Sequence, residues 1–347
     1  MKKLALLLHK VTHWEYWPFG IVYMPMHFVW FYYSFRARSF FFFNASNPTI
    51  KNGGFLMESK KEIYDILPAQ YYPKTILVRL GDIFETVVEE CVRAGLHYPL
   101  IAKPDIGMRG MAVQKLESDA DLATYFKKAN FNFLIQEFVD LPSEVGIFYV
   151  REPDQSQGKI TGIVAKEYLI VTGDGKSSLR NLVESNPRYH LQLGALSRMY
   201  GEKLLDIPAR GELVNLVPYG NHARGSRFIN ATHLATDLLT ETINKICTQV
   251  PHFYYGRLDI KYNTWDELEK GQNISIIELN GAGSEPTHIY DPGQSIFVAW
   301  KEISRHFGML FRISMQNYKK GFPFLTFQEG LEMFRQNSLH VRKLKNF

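Results

Sequence analysis

The run Tyr255-Gly256-Arg257-Leu258-Asp259-Ile260-Lys261 sets Arg257 and Asp259 two residues apart in an apolar stretch, and Ile276-Ile277-Glu278-Leu279-Asn280-Gly281 does the same with Glu278 and Asn280. In a β-strand that spacing sends both polar side chains to one face, while Leu258, Ile260, Ile277 and Leu279 point to the other. Two neighbouring strands of this kind would collect two carboxylates, an amide oxygen and a guanidinium on one surface. Oxygen donors suit a hard divalent cation, and Mg²⁺ takes one or two carboxylates and completes its shell with water and phosphate oxygens. The alternative is two edge strands with one solvated face, where alternating polar residues are routine.

A chain of 347 residues can bury a large core and form two or three lobes. Its 40 Lys and Arg against 35 Asp and Glu give a mildly basic balance that suits an anionic ligand. No Lys/Arg block interleaved with aromatics marks a nucleic-acid surface, so none is expected as a partner. The only cysteines, Cys91 and Cys247, fall in apparent amphipathic helices. A disulfide framework or zinc site is therefore not expected, and a reducing cytoplasm is.

Lys2, Lys3 and the run Leu4 to Leu8 resemble the start of a signal peptide, but His9 and Lys10 interrupt it and no small-residue cleavage site follows. No charged residue occurs between Glu15 and Arg36, a length that could cross a bilayer. Pro18, Gly20, Pro25, His27 and the abundance of Trp, Tyr and Phe argue for other fates. Three readings stay open: burial against the chain's own domain or a second copy in a homodimer, peripheral contact of residues 16–43 with the inner face of a membrane, and a true span. Arg36 and Arg38 would serve the second by meeting anionic headgroups.

From residue 58 the pattern is α/β. Residues 58–140 read as a first lobe, 141–318 as a second lobe carrying the two polar pairs, and 319–347 as a basic tail with one short helix near Leu325–Phe334. Residues 1–57 form an aromatic front without clear period. Strands are expected over Tyr98–Lys103, Met111–Leu116, Phe131–Val139, Glu144–Val150 and Lys159–Val171. A helix capped by Asp82 and a long helix Ile296–Met315 are also expected.

Lys103 ends an apolar strand, where its ammonium is costly to bury without an anion. Gly107-Met108-Arg109-Gly110 follows, a turn whose backbone N–H groups could cover phosphates. The strand Phe133-Leu134-Ile135-Gln136-Glu137-Phe138-Val139 ends in polar groups between the lobes. Backbone at Glu137 and Val139 could pair with a purine edge, and Glu144 could hold ribose hydroxyls.

The succession Pro99–Pro104, glycine turn, Gln136–Glu144, Gly256–Asp259 and Glu278–Asn280 resembles the ATP-grasp superfamily over residues 70–310, closest to its D-alanine–D-alanine ligase-like and cyanophycin-synthetase-like members. The resemblance implies an α/β (α+β) ATP-grasp fold, two α+β lobes holding ATP between them, behind a short atypical N-terminal segment. It implies Lys103, with the turn of Gly107 and Gly110, at the phosphates, an adenine hinge of Gln136, Glu137 and Val139, and Glu144 at the ribose. Asp259, Glu278 and Asn280 would hold Mg²⁺, with Mn²⁺ as the alternative ion, and Arg257 would lie beside the transferring phosphate.

Two further cations follow from the same resemblance. Lys166, whose strand position mirrors Lys103, and Lys176, in Gly173-Asp174-Gly175-Lys176-Ser177-Ser178, compete for the second phosphate-facing lysine. The latter loop is no P-loop, because the leading glycine would fall on Ile170. Arg224, in Asn221-His222-Ala223-Arg224-Gly225-Ser226, would touch a phosphate or carboxylate. In Gly281-Ala282-Gly283-Ser284-Glu285-Pro286-Thr287-His288, Ser284, Thr287 and His288 would orient a carboxylate, with His288 a candidate general base.

The implied activity is an ATP- and Mg²⁺-dependent ligase that joins a small-molecule acid, an amino acid or peptide, to an amine through an acyl phosphate. The alternatives are a kinase that stops at phosphoryl transfer and a non-catalytic nucleotide-binding scaffold at the membrane. The front lacks the full α/β domain of D-alanine–D-alanine ligases, so D-alanine itself is not implied as substrate.

Overall fold

The computed structural model describes residues 2–108, 110–217 and 225–347. The first lobe is a four-stranded antiparallel sheet of β1 (Thr75–Val78), β2 (Leu100–Pro104), β3 (Gln114–Leu116) and β4 (Phe133–Glu137), in the order β1-β4-β2-β3. Its apolar residues, among them Ile76, Leu100, Ala102 and Ile135, pack with Val87 and Cys91 of the helix Phe84–Arg93 and with Leu122 and Tyr125 of Asp119–Lys128. Asp82 is not the cap of the first of these helices. Its carboxylate accepts from the Arg79 N–H in the preceding turn, and Ile83 holds the cap position.

The second lobe is built on β5 (Ser143–Val150), β6 (Lys159–Glu167), β9 (Arg227–Asn230), β10 (Tyr255–Tyr262) and β11 (Ile274–Asn280), antiparallel in the order β11-β10-β5-β6-β9; β7 (Leu169–Thr172) and β8 (Leu213–Val217) form a separate hairpin. The expected strand Lys159–Val171 is thus two strands. The chain leaves the main sheet at Tyr168, and β7 and β8 share a satellite core of Leu169, Val171, Leu179, Val183 and Leu216. In the main sheet Leu258, Ile260, Ile276 and Leu279 are buried with Leu239, Ile243 and Ile246 of the helix Asp237–Thr248. Alternation leaves the polar pairs on the opposite face, but a register shift between Asp259 and Ile260 breaks it in β11, so Ile276 joins the core in place of the expected Ile277, which lines the cavity.

The aromatic front packs onto the long helix Ile296–Lys319. Val22, Met26, Trp30 and Tyr33, from the helices Phe19–Tyr23 and Met26–Ala37, lie against Ala299, Ile303, Phe307 and Phe311, and Phe41, Phe42 and Phe43 are buried. Burial against the chain's own domain therefore accounts for one face of the front. Phe28, Phe31, Tyr32 and Phe35, spaced i, i+3, i+4, i+7, stay exposed on the other. Among the described residues no helix is long and apolar enough to cross a membrane.

Asn47 joins this front to the main sheet. Its buried amide donates to the Gly53 and Tyr255 carbonyls at 2.9 and 2.8 Å and accepts from the Tyr254 and Tyr255 N–H groups at 2.9 and 3.0 Å. Gly53 and Gly54, both at positive φ, then accept from the Ala282 and Gly283 N–H groups, with no room for a Cβ. Residues 47–54 thereby grip the start of β10 and the exit of β11.

The basic tail is longer in helix than expected. Thr326 and Glu329 form a capping box, and the helix runs Phe327–Lys345. Arg335, Arg342, Lys343 and Lys345, which give the segment its tail-like composition, are its solvent face. Met333 enters the front's aromatic core, Leu344 enters the first-lobe core, and the Phe347 ring lies 4.8 Å from that of Tyr125.

Candidate active site

A cavity of about 1020 Å³ opens between the two sheets, and among the described residues the expected site residues line it with two exceptions, Lys176 and His288. Arg224 lies outside the described residues. Lys176 is exposed on the turn before the helix Leu179–Ser185, where Asp174 accepts from its N–H at 2.8 Å. That turn belongs to the satellite hairpin, whereas Lys166 lines the cavity.

Strand register explains the clustering. Across β11, β10 and β5, Glu278 faces Asp259, which faces Gly146; Asn280 faces Arg257; and Glu144 of β5 faces Lys261 of β10 and Lys166 of β6. A Cβ at position 146 would lie 3.0 Å from Asp259 Oδ1 and 2.8 Å from Val164, so glycine leaves space for the acid. Arg257 clasps Asp259 through Nε–Oδ1 and Nη2–Oδ2 contacts of 3.0 Å each and donates a third bond to the Glu285 carbonyl at 3.1 Å. Lys166 lies 2.6 Å from Glu144 and 3.1 Å from Asp259.

These charges set one another's protonation. Burial alone would raise the Asp259 pKa, but Arg257 and Lys166 outweigh it and hold the carboxyl below its ordinary value. Burial would likewise lower Lys166, yet Asp259 and Glu144 hold it above its ordinary value. Glu144, expected at a ribose, is thus bonded to Lys166 and 3.4 Å from the Tyr168 hydroxyl.

Across the cavity, the Lys103 ammonium donates to the Tyr64 hydroxyl at 2.8 Å and to the Ile277 carbonyl at 3.2 Å, and the Tyr64 hydroxyl donates to the same carbonyl. Burial pushes Lys103 down to about 7, with Glu278 opposing and Lys60 adding to the shift. Lys60 has no counterpart in the sequence reading. It donates to the Gly107 carbonyl at 2.7 Å and lies 3.6 Å from Glu278, so one side chain touches the glycine turn and the carboxylate strand. A clue was present: Lys60 and Lys61 open a helix, where the macrodipole disfavours cations.

The purine-hinge expectation narrows. The Glu137 N–H is bonded to the Lys74 carbonyl at 2.9 Å, and the Gln136 amide donates to Thr75 Oγ1 at 2.8 Å. Both groups are engaged within the first lobe, and Gln136 and Glu137 line the cavity together with Phe138 and Val139. His288 is outside the cavity lining. Its ring is buried beside Gly162 and lies 3.2 Å from Glu302, so it is no general base here. Ser284 lines the cavity and donates to the Asn280 carbonyl at 2.8 Å, and Thr287 lines it with a buried hydroxyl.

The residues of the two polar pairs fit a hard cation in donor chemistry. No three His, Cys, Asp or Glu side chains form a metal-sized group among the described residues, so the set is two carboxylates and one amide. Glu278 is the open member, with a third of its side chain exposed and Lys60 at 3.6 Å. The Asn280 Nδ2 is buried without a hydrogen-bond partner; as a donor it cannot meet a cation, so the amide oxygen is the end that would. Asp259 fits less freely, because Arg257 and Lys166 take both its oxygens.

His306, on the cavity wall, gives a pH-dependent signature. Its Nε2 lies 3.0 Å from Glu302, its Nδ1 is buried without a partner, and Arg305 and His288 are its other charged or titratable neighbours. Burial pushes this imidazole down to about 4, with the Glu302 bond opposing the shift. The unfolded chain therefore binds the extra proton between the ordinary 6.5 and about 4. Stability from this group is complete above 6.5 and is lost as pH falls through that window, by about 3 kcal/mol. Urea unfolding at stepped pH with an NMR titration of the His306 ring checks this, and a ring titrating near 6.5 would contradict it.

The sequence matches no protein-family model and no curated protein. Among solved structures, D-alanine–D-alanine ligase from Bacillus anthracis is similar at 12% identity and TM-score 0.45, over 78% of this chain and 71% of that one. VanG D-Ala:D-Ser ligase from Enterococcus faecalis is similar at 12% identity and TM-score 0.43, over 78% and 63%. A bifunctional glutathione synthetase from Pasteurella multocida is similar at 16% identity and TM-score 0.39, over 74% and 38%. The chain thus spans under two thirds of the VanG ligase and of the glutathione synthetase. Two antiparallel α+β lobes enclose one cleft, with Lys103 on one wall and the Asp259, Glu278 and Asn280 row on the other. This is the two-lobed α+β arrangement expected from the sequence. The front and the C-terminal helix both contribute to the lining of this cleft.

Proposed function

We propose that this chain is an ATP-grasp protein, an ATP- and Mg²⁺-dependent ligase that joins a carboxylic acid to an amine. The observation that supports it is the facing of Lys103 and Lys60 by Lys166, Arg257 and the Asp259, Glu278 and Asn280 row across one cavity. Phosphoryl transfer needs positioning and charge neutralisation more than covalent help from the protein. Glu278 and Asn280, with Asp259 once freed from its cations, would hold Mg²⁺, which supplies charge neutralisation at the phosphates when bound. Lys103, Lys60 and Lys166 would bind phosphate oxygens, and Arg257 would stabilise the transferring group.

In the reaction the acid's carboxylate oxygen bonds to the γ-phosphorus of ATP and ADP leaves. The amine nitrogen then bonds to the carbonyl carbon of the acyl phosphate, loses its proton, and phosphate leaves. Incubation with ATP, Mg²⁺ and an acid–amine panel, read by phosphate release and mass spectrometry, tests the reading. An amide product supports it, whereas ADP with a stable phosphoryl product makes the chain a kinase.

The full engagement of Asp259 favours a second reading, a nucleotide-binding scaffold. Tight ATP binding without turnover across the panel would decide for it. For either, a peripheral site at an anionic membrane is proposed on the exposed Phe28, Phe31, Tyr32 and Phe35 face. No acidic residue lies between Tyr16 and Met57, and Arg36 and Arg38 stand beside that face. Co-sedimentation with phosphatidylserine vesicles and its loss in Phe31→Ser/Phe35→Ser is the expected result.

Lys103 gives this reading a pH dependence. Above about 7 its ammonium in the free protein loses the proton, so ATP affinity is expected to fall as pH rises through 7 to 9. Folding stability moves the other way. Between about 7 and the ordinary 10.5 the unfolded chain holds the proton that the folded chain has lost, so this group adds stability as pH rises. Displacement of a fluorescent nucleotide checks the first expectation, and Lys103→Met should weaken binding and flatten its profile.

A further inference from the structure

The cavity continues past the polar row along a wall of five aromatic rings. Phe334 meets Phe55 at 6.3 Å between centroids, Phe55 meets Phe43 at 4.1 Å, Phe43 meets Trp30 at 5.6 Å, and Trp30 meets Phe307 at 5.2 Å. All five line the same cavity, and they come from the front, the long helix and the C-terminal helix. Trp30, Phe55 and Phe307 are only half-buried, so their burial is incomplete unless something apolar occupies the space. At about 1020 Å³ the cavity stands at the upper end of the roughly 300–1,000 Å³ usual for one drug-sized ligand.

The lining here also carries Glu15, paired with Arg188, Glu58, with one oxygen buried, and Glu285. Glu285 accepts from the Tyr290 hydroxyl at 3.0 Å, and the Tyr23 hydroxyl bonds it too. It forms no ion pair among the described residues. Its backbone carbonyl meanwhile holds Arg257, so the acid is fixed directly beside the row assigned to phosphate transfer. A carboxylate positioned by two hydroxyls and flanked by rings is suited to an ammonium group attached to an apolar body.

We infer that this chamber binds the amine substrate, and that this amine carries a large apolar or aromatic group, with its nitrogen at Glu285 and its side chain along the ring wall. The inference rests on the ligase reading for the fate of the amine, but its binding step does not require ATP. Small polar amines would leave the wall uncovered. Apolar acids of equal size would set a carboxylate against Glu285. A single methylene in such a pocket changes discrimination by roughly 10–200-fold, so a phenyl group is worth at least the lower figure.

Trp17 and Trp30 line the cavity and report on it by fluorescence. Phenylalaninamide, alaninamide and 3-phenylpropionate are titrated into the full chain without nucleotide. Phenylalaninamide is expected to bind about tenfold or more tighter than either of the others. Glu285→Gln, which keeps the backbone carbonyl for Arg257, should erase the preference for amine over acid and keep that for phenyl over methyl. Phe307→Ala should do the reverse. Phe19→Ala, at the exposed rim of the cavity, gives a variant with little folding risk and should weaken phenylalaninamide alone. ATP affinity is measured on the same samples. ATP binding with equal affinity for all three probes would overturn the chamber and leave the ligase reading standing, whereas selective phenylalaninamide binding without ATP binding would keep the chamber and sink the ligase reading.

Discussion

Glu278→Gln is expected to cut ATP-dependent turnover by about a hundredfold to a thousandfold, the usual loss when one preorganised charge partner is removed, while the melting temperature stays within a degree or two of the parent. Asp259→Asn should lose turnover as well, but not cleanly. Glu278 is part-exposed and meets only Lys60 at 3.6 Å, so its amide isostere disturbs little. Asp259 is buried between Arg257 and Lys166, and its neutralisation leaves two buried cations with Glu144 as the main compensation. Breaking a buried pair in this way costs roughly 3–5 kcal/mol. Paired steady-state kinetics and thermal unfolding separate the two cases. A Glu278→Gln protein with parental turnover and parental stability would remove Glu278 from the reaction.

Asn47→Ala is expected to be among the most damaging single changes in the chain, although Asn47 touches no proposed substrate. Its amide satisfies two carbonyls and two N–H groups in a buried setting. Each buried polar group left without a partner costs about 1–3 kcal/mol, so even partial relaxation leaves a loss of roughly 3–6 kcal/mol. Asn47→Asp should be no better, because it removes both donors and buries a charge. Denaturant unfolding is the measurement. The burial of the front predicts that deletion of residues 1–45 does not yield a well-behaved soluble core, since Phe41, Phe42 and Phe43 leave the interior with the deleted segment. A stably folded deletion would show the front to be dispensable.

The part of the site written in the sequence is the part built from local period. Arg257 with Asp259 and Glu278 with Asn280 were legible because alternation along one strand fixes a face, and antiparallel pairing then sets Asp259 opposite Glu278. Lys103 was legible as a lysine ending an apolar strand. Contacts made across long sequence distances were not. Tyr64 and Lys60 reach the cavity from a helix that, taken alone, is an ordinary surface element, and Asn47 reads as a loop residue before proline until its partners at 254 and 255 are in view. Lys176 misled because a glycine-rich lysine loop is chemically plausible wherever it lies, and only the split of the chain at Tyr168 into a second hairpin removes it. The C-terminal helix was underestimated because its solvent face is so basic that the buried Met333 and Leu344 were outweighed in composition.

That helix has a mechanical consequence. At one end Gly330 presses on the Phe41 ring, and at the other Leu344, Phe347 and the His340 contact to the Ile106 carbonyl, at 2.6 Å, belong to the first lobe. It is a strut bolted at both ends across the mouth of the cleft. The lobes cannot swing apart as two free jaws: any opening must either peel the strut from the front or carry it away with the first lobe. The stiffness of the molecule against opening is therefore set at Phe41 and His340, far along the chain from the residues that hold the phosphates.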